Sequence, residues 1–127
     1  MITSRIEKTL DLTILRGSEG VTTAEVLAAM EEMYSGSPTK FVLWDFSTVD
    51  ISAIDFEGVQ AIAELAVKRG SSRRGGKTAI VTDQKIVLGI TRVYESLVDG
   101  VPPLEQHVCD TIEEALEFLG IDELPAG

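Results

Sequence analysis

Carboxylates gather densely in the stretch Asp45 to Gly58, which carries Asp45, Asp50, Asp55 and Glu57 along with the hydroxyls of Ser47 and Ser52. Several such groups at the carboxyl end of a buried strand can hold a hard cation such as magnesium, and Asp83 and Asp110 fall on the same rim if they too follow strands. A simpler use is helix capping and dipole complementarity in a first turn, which suits Asp55, Glu57 and Asp110 directly. No fixed-register ligand motif accompanies the cluster, so capping is the preferred reading. His107 and Cys109 are the only histidine and cysteine. On a strand they share a face, but two ligands without a further His or Cys make a poor metal site, and the acid-base partners that catalysis through them would need are missing from the local sequence. Gly-x-Gly-x-x-Gly, Gly-x-x-x-x-Gly-Lys-Ser/Thr and Gly-x-Ser-x-Gly patterns do not occur, which removes the common nucleotide and hydrolase signatures. The expectation is a chain with no metal site, no cofactor and no catalytic constellation.

These residues must be positioned by a strand. Phe41-Val42-Leu43-Trp44 is an unbroken apolar run ending at Asp45-Phe46-Ser47, the pattern of a central strand buried on both faces. Before it, Leu10, Leu12 and Ile14 alternate with Asp11 and Thr13, so a strand pair with a tight turn near Lys8 is expected at the start. Thr22 and Glu25 form a capping box, with Val21 stapled onto Val26. The helix they open presents Val26, Leu27, Met30, Met33 and Tyr34 and stops at Ser35-Gly36. After the central strand, Phe56, Val59, Ile62, Ala63, Ala66 and Val67 mark the apolar side of a second helix ending at Gly70. Thr78 to Thr82 reads as a parallel strand, and Ile86, Ile90, Val93, Tyr94 and Leu97 as the stripe of a third helix. Val101-Pro102-Pro103 is an extended connector. Leu104 to Cys109 is then an edge strand, and a final helix starts with either Asp110 and Glu113 or Thr111 and Glu114 at its cap.

The fold class is therefore α/β: one domain over residues 1–120 with a mostly parallel sheet of four to five strands, an antiparallel first strand and about four helices, followed by a loose tail over 121–127. A length of 127 residues and a hydrophobic fraction of 44% allow one domain with a real core and too little chain for two. The net charge of −10 argues against nucleic acid or an anionic membrane as partner. Lys68, Arg69, Arg73, Arg74 and Lys77 form the one basic segment, read as a solvated helix end. No stretch is long and apolar enough to span a bilayer, and a cytoplasmic location is expected. The exposed edge near Leu104 to Val108 offers a way to a homodimer. Trp44, Phe46, Phe56 and Tyr94 would line an apolar pocket if the core opened to solvent.

The element order and the central segment together resemble the STAS domain, the fold of bacterial anti-anti-sigma factors, and more closely its SpoIIAA-like members. Asp45, Phe46, Ser47, Val49, Ile54, Asp55 and Gly58 match that family's strand end and helix start. The resemblance implies a regulatory, non-enzymatic module that binds a protein through Asp45, Ser47, Asp50, Ser52, Asp55, Phe56, Glu57 and Gly58. Two departures stand out. The spacing from Val49 to Ile54 is two residues longer than the family's, and Phe56 occupies the place of the serine that a cognate kinase phosphorylates. The fold is also similar to the lipid-binding CRAL-TRIO domain, which implies the alternative of a small apolar ligand or lipid carried near Trp44, Phe56 and Tyr94.

Overall fold

Apolar side chains at every second position decide both faces of the sheet. The computed structural model of the chain describes residues 1–36, 38–47, 53–69, 76–82 and 105–124. Strands β1 (Ile2–Glu7), β2 (Leu12–Gly17), β3 (Phe41–Asp45), β4 (Lys77–Val81) and β5 (Glu105–Cys109) form one sheet in simple sequence order. β1 runs antiparallel to β2 and the remaining pairings are parallel. Helices α1 (Thr23–Ser35), α2 (Phe56–Arg69) and α3 (Ile112–Leu119) complete the described part. The class and the antiparallel first strand are as expected. Among the described residues there are three helices rather than about four; the helix expected through Ile86 and Leu97, and the connector at Val101 to Pro103, lie outside the described residues.

The tight turn near Lys8 is a short 3-10 helix, Lys8–Leu10, closed by Asp11 in the left-handed region at φ 51°. Aspartate tolerates that conformation better than most residues. Register then sorts the core. Leu15, Val42, Trp44 and Ile80 face α1 and α2, in one cluster with Val26, Met30, Val59 and Ala63. Leu12, Ile14, Leu43, Ala79, Val81 and Cys109 face the other way, against Ala115 and Leu119 of α3. The helices that follow β2 and β3 thus share one face, as right-handed crossovers stepping in one direction require, and α3 covers the opposite one.

The capping box of α1 is present: Thr22 Oγ1 accepts the Glu25 N–H at 3.2 Å and Glu25 Oε1 accepts the Thr22 N–H at 3.2 Å. Val21 and Val26 are both buried in the same cluster. Of the expected stripe, Val26, Met30 and Tyr34 are buried, with Leu27 and Met33 at its half-buried margins. At α3 the open choice of cap falls to Thr111, whose hydroxyl accepts the Glu114 N–H at 3.2 Å. Gly120 ends that helix at φ 76°, and Ile121 N–H returns to the Leu116 carbonyl at 2.9 Å. This turn folds the chain back onto the sheet. Ile121 is buried and Leu124 packs against the same cluster, so the tail expected to be loose from Ile121 onward is docked at its start; residues 125–127 lie outside the described residues.

Candidate functional site

The carboxyl ends of β2 and β3 and the start of α2 meet at one rim. Asp45, the last residue of β3, is opposite Arg16 of β2 in the parallel register. Its Oδ2 accepts from Arg16 Nε at 3.2 Å, while Oδ1 accepts both the Ser47 N–H at 3.1 Å and the Ser47 hydroxyl at 2.6 Å. Asp45 is buried and the Arg16 side chain is largely exposed. The carboxylate therefore works as a lock on the strand end, turning the chain through Phe46, whose N–H bonds the Val81 carbonyl at 2.9 Å.

Past the rim, Ile54 is buried and Asp55 caps α2: its Oδ1 accepts the Gly58 N–H at 2.8 Å and its carbonyl accepts the Val59 N–H at 3.0 Å. That is the capping role read for Asp55 from sequence. Asp50 and Ser52, with Val49, lie outside the described residues. Phe56 and Glu57 follow the cap directly and both are exposed. Gly58 is buried against the start of α1, where a Cβ would meet Thr23 Oγ1 at 2.2 Å. A glycine is what lets the two helix starts lie side by side.

The sequence pattern placed Phe56 and Val67 on the buried side of α2, and here the structure differs. Phe56 is 59% exposed and Val67 47% exposed, whereas Val59, Ala63 and Ala66 are buried. A helical side chain leans toward the turn N-terminal to its own Cα, and a residue at the first helical position has no such turn to cover. Phe56 is consequently left exposed at the helix start. Spaced along one flank with it are Gln60, Glu64 and Val67, which with Ala63 and Lys68 line an open hollow.

Of the four residues considered for an apolar pocket, Trp44 and Phe46 are neighbours inside the core, with ring centroids 5.7 Å apart. Phe56 stands outside that core, and Tyr94 lies outside the described residues. A separate groove of about 160 Å³ runs between β1 and α1, lined by Ile2, Ile6, Leu15, Ala29, Met33 and Pro38 among others. Sequence reasoning missed it, because the weak alternation of β1 gave no sign of which face Ile2 and Ile6 would take.

His107 and Cys109 do share a face of β5, and α3 adds Glu114 beside them. One ligand atom from each lies within 4.8 Å of the other two. From sequence Glu114 reads only as a capping residue, since its approach to β5 depends on α3 folding back over the sheet. In the basic segment, Arg69 pairs with Glu31 at 2.9 Å, and Lys77 lies over the Phe118 ring at 5.3 Å; Arg73 and Arg74 lie outside the described residues. Near the start of α1, the Glu25 carboxyl is held below its ordinary range, first by a hydrogen bond from the Met1 amine and then by the Thr22 N–H. Among the described residues no helix is long and apolar enough to cross a membrane. The chain matches no protein-family model and no curated protein sequence.

Proposed function

We propose that the protein is a non-enzymatic, STAS-like interaction module of the bacterial cytoplasm, engaging a protein partner through the β3 rim and the outward flank of α2. The observation that carries this reading is Phe56, 59% exposed in the first turn of a helix whose start is fixed by the Asp55 cap and the Gly58 contact. Aromatic anchors held on rigid elements and rimmed by polar groups are what protein interfaces use. Glu57 and Glu64 flank it, so the complementary partner surface is an apolar pocket with basic residues at its edge. Asp45 and Asp55 are already engaged in holding the backbone, which supports a binding role over acid-base chemistry. On this reading the partner meets a fixed ring where related modules carry a hydroxyl switched by phosphate, and binding is constitutive.

The apolar-carrier reading draws on a cavity near Trp44, Phe56 and Tyr94; Trp44 is closed inside the core and Phe56 stands outside it, with Tyr94 outside the described residues, so the groove between β1 and α1 is the nearest described space with an apolar lining. That groove, at about 160 Å³, is smaller than the roughly 300–1,000 Å³ typical of small-molecule pockets, and the hollow on α2, at about 320 Å³, is open and carries Gln60, Glu64 and Lys68; among the described residues these spaces suit a protein surface better than an enclosed apolar ligand. Native mass spectrometry of the protein drawn from its own host's lysate separates the two. The expected result is a stoichiometric protein companion whose affinity falls about thirtyfold with Phe56→Asp, the loss of a hot spot near 2 kcal/mol, while the melting curve is unchanged. A companion retained equally by Phe56→Asp refutes the surface, and a small apolar mass released on denaturation refutes the module.

A further inference from the structure

We infer that His107, Cys109 and Glu114 form a binding site for a divalent transition metal of the zinc class, on the sheet face opposite α1 and α2. The period of two along β5 sets His107 and Cys109 on one side of the strand. α3 lies on that side, and its capped first turn supplies Glu114. The His107 Nε2 to Glu114 Oε1 distance is 3.9 Å, and the three donor atoms all lie within 4.8 Å of one another. In a tetrahedral zinc site, bonds of about 2.0–2.3 Å put ligand atoms roughly 3.3–3.7 Å apart. The closure needed is therefore about an ångström, and His107 and Glu114, with side chains 46% and 48% exposed, are free to make it.

Neither mobile ligand is randomly oriented. Glu114 Oε2 accepts the Asp110 N–H at 2.9 Å and its own N–H is held by Thr111, which leaves Oε1 as the oxygen facing His107. The imidazole packs on Phe118 with ring centroids 5.2 Å apart. Hydrogen bonds and apolar walls of this kind orient metal ligands. Cys109 is fully buried among Ala115, Leu119 and Ile121, so an ion bound there has a dry side at the thiolate and a wet side between the other two ligands. A nitrogen, a sulfur and an oxygen donor together suit zinc, and disfavour magnesium and calcium, which take oxygen sets. Three protein ligands leave a fourth position for water. A half-exposed His-Glu pair alone would be a surface contact of little worth; the buried thiol within reach of both is what makes the trio a site. The expectation drawn from His107 and Cys109 alone lacked this third ligand.

The test is titration of the chelator-treated full-length protein with cobalt(II), then zinc. Binding at one equivalent with a thiolate-to-cobalt charge-transfer band, bleached by zinc, is expected. His107→Gln and Glu114→Gln, at exposed positions that leave the fold intact, should each weaken cobalt by at least about tenfold, and Cys109→Ala should abolish the band. Absence of the band in the native protein at one equivalent overturns the proposal. So does a band whose affinity is unchanged in both His107→Gln and Glu114→Gln.

Discussion

Replacing Gly58 with alanine tests the contact that sets the start of α2 against the start of α1. A Cβ built there would lie 2.2 Å from Thr23 Oγ1 and 3.3 Å from both Thr23 Cβ and Ile54 Cγ2. The first distance is far inside van der Waals contact, so Thr23 must leave its rotamer or the helix ends must part. Over-packing of this kind costs about 1–3 kcal/mol, and the better helix propensity of alanine returns up to about 1 kcal/mol. A net loss of up to about 3 kcal/mol, about 1.5 kcal/mol at the middle of both ranges, follows from those two terms. Thr23→Ala separates them, because it removes the 2.2 Å clash and leaves only the 3.3 Å approaches, which a shift of a few tenths of an ångström relieves. In that background Gly58→Ala should be neutral or stabilising, giving a coupling of about 1–2 kcal/mol in the double-mutant cycle. Urea unfolding read by far-ultraviolet dichroism and by the fluorescence of Trp44, the single tryptophan, measures it. Heat should show the same difference at roughly 4 °C in Tm per kcal/mol. A coupling below about 0.5 kcal/mol, or a stabilising effect of Gly58→Ala alone, would refute the steric account and the juxtaposition of the two helix starts with it.

Two further outcomes concern the rim and the start of α1. Asp45→Asn keeps an acceptor for Ser47 but sets an amide donor against Arg16 Nε, now at 3.2 Å from Oδ2; it should cost about 1–3 kcal/mol in a urea titration, mostly from the buried mismatch because the exposed arginine adds little, and a cost near zero would deny the lock. The Glu25 carboxyl titrates below its ordinary value of 4.5 through the Met1 amine and then the Thr22 N–H. A lowered folded-state pKa contributes stability that is present above the ordinary value and lost as pH falls through the folded one. Glu25→Gln should thus flatten the acid decline of Tm below pH 4.5, and an unchanged slope in melts across that range would count against it.

Local signals carried most of the fold and part of the site. The apolar run at Phe41 to Trp44, the capping box at Thr22 and Glu25 and the Asp55 cap each depend on neighbours within a few residues, so they are legible without tertiary information. Phe56 was misplaced because a hydrophobic period says which side of a helix is apolar but not where the helix begins relative to what it covers. Ile121 was missed for the related reason that one left-handed residue, Gly120, redirects the chain after the last turn. Glu114 was out of reach altogether, since its approach to His107 and Cys109 is a long-range consequence of α3 crossing under the sheet.

Strand order that follows the chain, with α3 the one described helix on the second face of the sheet, also bears on how the protein is made. α1 and α2 leave the ribosome between the strands they cover, so that face is protected as it grows. Leu12 and Ile14 belong to the opposite cluster and wait for Ala115 and Leu119, about a hundred residues downstream. At roughly 5–20 residues per second, Leu12 and Ile14 precede those α3 contacts by about 5–20 seconds in every synthesis.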